Sequence, residues 1–324
     1  MTDYKLRHAL KKTIRNFFDD RGFLEVDTPI IVPCPGTEVY LRYFATEWQD
    51  YDQKKRKLWL RSSPELHLKK ICALDYDRIY EIGKCFRNSG EYTDWHHPEF
   101  TMLEWYRKNQ SFPEFLNETE ELIKSCREGL SRLNSNVIDI SAFTRLSVYE
   151  AFEEFCNVRL IDNDQELPEK LNKQNLHSIT ENDDFESSFF KGILERVEPA
   201  LKNLGAVILY DFPPSQAALA TVENSRAKRA EVYINGHELS NGFLELLNPD
   251  ENKRRIVDAL SKRKSLNFEV PEEDKSFYLA IEKLNEEEKS ICGNALGFER
   301  LLAILTSQKN IDQVTGFRSQ IYSK

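Results

Sequence analysis

Two segments of alternating apolar and polar residues, joined by a polar loop, constrain the fold of this 324-residue chain most strongly. The first covers residues 77–88 and the second covers residues 99–106. Alternation with a period of two is typical of β-strands, so the pattern predicts two neighbouring strands of one sheet. On the second strand, the period places Glu104 on the same face as apolar side chains. Because burial of an unpaired carboxylate is unfavourable, we expect a cationic group to contact Glu104.

Residues 85–88 (CFRN) and 96–106 (HHPEFTMLEWY) resemble motif 2 of the class II aminoacyl-tRNA synthetases, in its lysine-specific form. In that family the motif 2 arginine contacts the α-phosphate of ATP and a phenylalanine stacks on adenine, while a later glutamate and tyrosine hold the amino-acid side chain. The resemblance implies ATP contacts at Arg87, Asn88, His96 and Phe100. It implies contacts to the amino-acid substrate at Glu104 and Tyr106.

A short strand followed by a helix is predicted over residues 58–70. Ser63 is suited to the N-cap of this helix and Pro64 to its first turn. Glu65 then lies at the positive end of the helix dipole, which favours the ionised carboxylate. Helix capping alone would account for these residues. In the resembling family this Ser-Pro-Glu glutamate faces the amino acid, which implies that Ser63 and Glu65 line the substrate pocket.

A hairpin is predicted over residues 228–247, because Asn235-Gly236 suits the two positive φ angles of a type I′ turn. Pairing outward from the turn places Glu238 opposite Tyr233 and Glu231 diagonal to Glu238. Two solvated surface glutamates would give the same pattern. The lysine-type synthetases carry acidic metal ligands at these places, which implies that Glu231 and Glu238 bind Mg²⁺ and that Glu238 also contacts ATP.

The end of this hairpin, Asn-Gly-Phe-Leu-Glu at residues 241–245, resembles a family stretch whose asparagine and glutamate contact the amino acid. The resemblance therefore implies Asn241 and Glu245 as substrate-binding residues. Strict alternation would place both on the face opposite to Glu238. We therefore expect a break in the regular pleat at or near Gly242.

Residues 292–305 resemble motif 3 of the family, in which an arginine lies across the adenine from the motif 2 phenylalanine. This implies that Arg300 binds ATP. Two positions depart from the lysyl-tRNA synthetases. Ala295 replaces a glycine, so the floor of the amino-acid pocket should differ, and Ser89 replaces the motif 2 loop glutamate, with Glu91 nearby.

Apolar residues at helical spacing predict a helix over residues 4–21, and residues 23–29 read as a strand. The segment resembles motif 1, which forms the dimer interface in class II enzymes. We therefore expect a homodimer with Pro29 at or near its interface.

The composition predicts a cytoplasmic enzyme. We expect it not to associate with membranes and not to bind nucleic acids stably. The net charge of −9 is opposite to the basic surface that a tRNA-binding protein needs. No apolar run approaches membrane-spanning length, and the N-terminus lacks a signal-peptide pattern. The six cysteines have no metal-binding spacing and are expected to be reduced thiols.

The expected fold class is α+β, a class II synthetase catalytic domain with an antiparallel sheet flanked by helices. We expect one domain over residues 1–324, with a mainly helical insertion at about 112–204 and no anticodon-binding domain.

Residues 209–220 (LYDFPPSQAALA) resemble a stretch of the ligases that attach (R)-β-lysine to elongation factor P, and Ala295 matches them too. The resemblance implies ATP-dependent activation of (R)-β-lysine or lysine as an adenylate, and transfer to the ε-amine of a lysine on elongation factor P. The alternatives are the same chemistry with tRNA or a small amine as acceptor, or a non-catalytic regulatory subunit.

Overall fold

The structure is a computed structural model that describes residues 3–88, 93–140 and 142–316. In these residues the helices are α1 (Tyr4–Asp19), α2 (Glu65–Cys72), α3 (Phe112–Ser131), α4 (Val148–Cys156), α5 (Leu167–Lys173), α6 (Phe185–Gly192), α7 (Glu198–Leu204), α8 (Pro249–Ser265), α9 (Lys275–Glu286) and α10 (Phe298–Leu305). The strands are β1 (Leu24–Glu25), β2 (Ile31–Val32), β3 (Ala45–Gln49), β4 (Lys55–Leu60), β5 (Arg78–Phe86), β6 (Glu99–Lys108), β7 (Thr144–Ser147), β8 (Ala206–Phe212), β9 (Val222–Glu223), β10 (Arg226–Ile234), β11 (His237–Leu244) and β12 (Ile291–Gly297).

The chain divides into two compact units. The first contains Met1–Ser111, Glu121–Ile138 and Leu246–Lys324, and the second contains Phe112–Glu120 and Asp139–Glu245. Residues 112–204 hold α3 to α7, a π-helical turn and the short strand β7. The interpretation of the chain as a single domain with a helical insertion remains a prediction.

The first unit contains strands in the order β1-β5-β6-β12, with β1 parallel to β5 and the other neighbours antiparallel. The strands β2, β4 and β3 form a separate antiparallel sheet. The hairpin predicted from the alternating pattern is therefore β5 and β6. Its register pairs Glu81 with Glu104, and β12 places Ala295 on the other side of Glu104.

Helix α1 packs its apolar face into the core of the first unit, as its helical spacing predicts. Phe18 is fully buried, and its ring lies 4.6 Å from that of Tyr80 and 5.6 Å from that of Trp105. Tyr80 lies on β5 and Trp105 on β6. The strand expected over residues 23–29 is shorter than predicted, because only Leu24–Glu25 pairs with β5.

The second unit contains strands in the order β11-β10-β8-β7, with β9 paired to β10. Its helices α4 to α7 cover their own apolar core, in which the rings of Phe152 and Phe189 stack at 5.3 Å. Asn235 and Gly236 join β10 to β11 with φ angles of 52° and 80°. These positive angles confirm the predicted tight turn, since a type I′ turn requires both.

No helix in the described residues has the length and apolar character needed to span a membrane. No disulfide joins the six cysteines, all of which lie in described residues and are buried.

Candidate active site

The predicted site residues fall into two groups, one in each unit, and the first group centres on Glu104. Its side chain is 1% exposed on β6. The Ser63 hydroxyl donates to Oε2 at 2.7 Å, and the Tyr106 hydroxyl donates to Oε1 at 2.8 Å. Burial, and then the negative charge of Glu65, raise the pKa of Glu104 from 4.5 to about 8. Glu104 is therefore mostly protonated at neutral pH in the free protein.

The polar contacts that the structure gives Glu104 come from hydroxyl groups, and the cation expected there is not among them. Lys69, whose side chain is 3% exposed, instead pairs with Glu65 at 2.7 Å and lies 5.9 Å from the centre of the Tyr106 ring. The cluster of Ser63, Glu65, Glu104 and Tyr106 therefore already has one ammonium group beside it, that of Lys69.

The start of α2 corrects one detail of the sequence interpretation. The helix begins at Glu65 with Pro64 as its N-cap, one residue later than predicted. Ser63 Oγ nevertheless accepts the N–H of Glu65 at 3.0 Å. The same hydroxyl donates to Glu104, so Ser63 connects the helix start to the buried carboxyl.

Basic and aromatic side chains predicted to bind ATP lie together at the end of β5 and the start of β6. The Arg87 guanidinium is 5.2 Å from the centre of the Phe100 ring, and its Nε is buried with no hydrogen-bond partner in the described residues. Arg300 donates to the Trp95 carbonyl oxygen at 3.5 Å. Desolvation, and then the charges of Arg300 and Arg87, lower the pKa of His96 to about 4. His96 is thus neutral near pH 7 and close to both arginines.

The other motif 2 loop residues have separate partners. Asn88 is exposed, and its amide donates to the Tyr43 carbonyl oxygen at 3.3 Å. His97 pairs with Asp312 through Nε2 at 2.6 Å, whereas His96 has the arginines beside it. Ser89 and Glu91 lie outside the described residues.

The second group lies on β10 and β11. Glu238 is opposite Tyr233, as the turn predicts, and Glu231 is opposite Asn241. The register shifts between these pairs, because Leu239 is an extra residue on β11. Opposed residues share a face of the sheet, so this bulge places Glu231, Tyr233, Glu238 and Asn241 on one face. The expected break in the pleat exists, but it lies at Leu239, before Gly242.

Glu231 is 7% exposed and has three hydrogen-bond donors. Arg229 donates at 2.5 Å, the Tyr233 hydroxyl at 2.8 Å and the Asn241 amide at 3.3 Å. Glu245 is 3% exposed just beyond β11, and its carbonyl oxygen accepts the Thr221 hydroxyl at 2.8 Å.

The oxygen donors of Glu231 and Glu238 fit Mg²⁺, which usually takes one or two carboxylates and completes its shell with water and phosphate oxygens. The described residues contain no group of three or more His, Cys, Asp or Glu side chains that could hold a metal by themselves. Mg²⁺ bound here would therefore take its remaining ligands from water or from a bound substrate.

Sequence reasoning did not single out Arg61 and Arg229, each of which pairs with a buried glutamate. Arg61 pairs with Glu81 in the first unit, and Arg229 pairs with Glu231 in the second. Arg61 lies outside any repeating pattern, whereas Arg229 follows the alternation of β10 on the same face as Glu231, a position that periodicity alone also gives to solvated residues.

Known proteins resemble this chain over nearly its whole length. A family model described as tRNA synthetases class II (D, K and N) matches residues 2–320. The chain belongs to this class II family. The predicted resemblance and the α+β fold class are thereby confirmed.

Similar class II proteins include elongation factor P–(R)-beta-lysine ligases. The one from Hamiltonella defensa is 34% identical over 317 residues, which cover 96% of this chain and 93% of the relative. The one from Vibrio cholerae is 33% identical over 323 residues, which cover 98% and 95%. The one from Haemophilus influenzae strain PittGG is 33% identical over 309 residues, which cover 94% and 91%.

Proposed function

We propose that this class II chain activates (R)-β-lysine, or lysine, with ATP and transfers it to the ε-amine of a lysine on elongation factor P. One observation carries the proposal: β6 presents Phe100, Glu104 and Tyr106 on one face, with Arg87 at one end and Ser63 beside the buried carboxyl. An aromatic ring with a guanidinium suits a nucleotide, and a buried acid suits an amine.

In the activation step, a carboxylate oxygen of the amino acid attacks the α-phosphorus of ATP. The bond from this phosphorus to the oxygen that bridges to the β-phosphate breaks, and pyrophosphate leaves. Arg87 would stabilise the charge that develops on the α-phosphate, and Phe100 and Arg300 would hold the adenine. The protein supplies mainly position and charge, because no covalent enzyme intermediate is needed.

Mg²⁺ held by Glu231 and Glu238 would supply positive charge to the triphosphate. In the structure the Arg229 guanidinium donates a hydrogen bond to the Glu231 carboxylate. To bind Mg²⁺, this carboxylate would have to be shared between Arg229 and the metal or to exchange Arg229 for it.

Carboxylates would hold the ammonium groups of the amino acid. We assign this role to Glu65, Glu104 and Glu245, with Tyr106 and Asn241 fixing orientation. Because Glu104 is protonated in the free protein, it must lose its proton when an ammonium group binds. Ala295 lies opposite Glu104 on β12 and would form part of the pocket floor. The uncharged acceptor amine then attacks the carbonyl carbon of the adenylate; the amide bond forms as the bond from this carbon to the phosphate oxygen breaks, the nitrogen loses one proton, and AMP leaves.

We also infer a homodimer and a cytoplasmic location. Large apolar side chains near Pro29 are exposed, with Leu24 at 46%, Ile30 at 41% and Ile31 at 54%. A second copy would cover such residues. Light scattering after size exclusion would give twice the chain mass; a monomer at micromolar concentration would contradict the inference.

ATP–pyrophosphate exchange with (R)-β-lysine and α-lysine, run side by side, tests the proposed function. Exchange that prefers (R)-β-lysine, followed by a mass increase of elongation factor P, is expected. Exchange followed by transfer to tRNA alone would make tRNA the acceptor in place of elongation factor P. No exchange with either amino acid would refute the proposal. Glu104→Gln should abolish exchange with ATP binding nearly intact, whereas the matched variant Glu99→Gln, an exposed residue of the same strand, should exchange like the parent.

A further inference from the structure

The guanidinium of Arg61 is enclosed by hydrogen-bond acceptors, and its side chain is 2% exposed. Nε donates to the Lys84 carbonyl oxygen at 2.9 Å, and Nη2 donates to Glu81 Oε1 at 2.5 Å. Nη1 donates to the Thr28 carbonyl oxygen at 3.2 Å and to the Thr28 hydroxyl, which itself donates to Glu81 Oε2 at 2.7 Å. These four hydrogen bonds and the ion pair with Glu81 help to offset the desolvation of the buried charge.

The backbone of Arg61 joins two more segments. Its N–H donates to the Ile30 carbonyl oxygen at 2.9 Å, and its carbonyl oxygen accepts the N–H of Phe86 at 2.9 Å. Backbone and side chain together fix the residues just after β4 against β5. Ser63 follows two residues later and donates to Glu104 at 2.7 Å. The position of the Ser63 hydroxyl therefore depends on how Arg61 is held.

Glu81 and Glu104 lie directly opposite each other on β5 and β6. Opposed side chains of antiparallel strands share a face, with Cβ atoms about 5 Å apart. A negative charge on Glu81 that was not neutralised would oppose ionisation of Glu104. Because Arg61 pairs with Glu81, Glu104 is the carboxyl of this pair that remains to bind an ammonium ligand.

Gly83 makes this arrangement possible. A Cβ atom at this position would overlap Nη2 of Arg61 and the carboxylate of Glu81. The backbone of Gly83 does not have the positive φ that requires glycine. Glycine is therefore required at position 83 because its lack of a side chain leaves space for the Arg61 guanidinium over β5, and not because of a turn.

We propose that Arg61 is a positioning residue for the amino-acid end of the site. It holds the Ser63 hydroxyl within hydrogen-bond distance of Glu104 and neutralises Glu81 beside that carboxyl. The inference rests on the proposed function and deepens it, because it assigns to Arg61 control over binding of the amino-acid substrate and not over binding of ATP.

A double-mutant cycle in ATP–pyrophosphate exchange tests this role. Arg61→Lys and Ser63→Ala should each raise the KM for (R)-β-lysine about tenfold, as expected when one hydrogen bond to a charged group is lost, and leave the KM for ATP unchanged. Since both act through the Ser63–Glu104 contact, the double variant should exceed the larger single effect by no more than about twofold. Multiplicative effects, or an equal rise in the KM for ATP, would overturn the proposal.

A second variant separates substrate binding from folding. Arg61→Met combined with Glu81→Gln leaves no unpaired buried charge, so its Tm should stay close to that of the parent. Its KM for (R)-β-lysine should nevertheless be raised, and a parental KM would overturn the proposal. The control is Lys108→Met with Glu287→Gln, an ion pair at the far end of β6 with a distance of 2.8 Å, in which Lys108 is buried and Glu287 is partly exposed. This control should keep the parental KM.

The two proposals fail in different ways. A parent protein that shows no exchange with any amino acid refutes the proposed function. An active parent whose Arg61 variants bind (R)-β-lysine normally refutes only the positioning role.

Discussion

Binding of an ammonium ligand should release a proton from Glu104. Burial and the charge of Glu65 raise the pKa of this carboxyl to about 8, so about nine-tenths of the molecules carry the proton at pH 7. The carboxylate is the form that attracts an ammonium group. If Glu104 holds an ammonium group of (R)-β-lysine as proposed, binding should therefore be accompanied by loss of this proton.

The proton linkage fixes the size of the effect. Below pH 8, each further pH unit should weaken binding of (R)-β-lysine about tenfold, because deprotonation then costs about 1.4 kcal/mol more per unit. Affinity at pH 6 should be about a hundredfold lower than the limit reached above pH 8. Glu104→Gln, which has no proton to lose, should bind weakly and without this pH dependence.

Isothermal titration calorimetry of (R)-β-lysine in two buffers with different ionisation enthalpies measures the proton directly. At pH 7 the parent should release about 0.9 proton per site, and Glu99→Gln, the exposed control on the same strand, should release the same amount. Release of no proton by the parent, or equal release by Glu104→Gln, would refute the reasoning.

Three further variants test the site and its support. Because the pKa of Glu104 is raised in the folded protein, the folded protein keeps a proton that the unfolded chain loses above pH 4.5. The unfolding free energy of the parent should therefore fall by about 3 kcal/mol between pH 4.5 and 7, relative to that of Glu104→Gln. Urea denaturation at the two pH values measures this difference. Arg87→Ala should slow ATP–pyrophosphate exchange by about a hundredfold or more and leave binding of (R)-β-lysine unchanged, because it removes positive charge only from the phosphate end of the site. A weaker affinity for (R)-β-lysine in calorimetry would contradict this. Gly83→Ala should lower the unfolding free energy by about 1–3 kcal/mol, because the added methyl displaces Arg61, and a parental midpoint in urea would contradict the crowding.

The hairpin of β10 and β11 shows how far local signals extend. Asn235-Gly236 determines the turn, and the turn determines the pairing of Tyr233 with Glu238 because these residues lie only two positions away. Beyond them the register shifts at Leu239. A bulge depends on what each face of the strand packs against, which the strand's own alternation does not encode.

Arg61 marks the limit of motif resemblance. The resemblance pointed to Ser63 and Glu65 because residues of their type contact the ligand in the family. Arg61 contacts groups that lie 20 and 33 positions away in the chain, and its partners are buried protein atoms. Neither spacing nor the chemistry of ligand contact therefore indicates it.

Glu104 shows why residue identity alone does not give the chemistry of a site. The sequence predicts a carboxylate and hence a cationic partner, but the fold surrounds this carboxyl with the hydroxyls of Ser63 and Tyr106 and excludes water. Two neutral donors do not offset the desolvation of a charge, so the protonated acid is the favoured form until a cation arrives. A substrate with a hydroxyl where (R)-β-lysine has its amine would leave Glu104 neutral and gain no charge pairing. In the proposed function, selection for an amine would therefore arise from the ionisation equilibrium that the fold imposes on Glu104, and not from the presence of a glutamate in the motif.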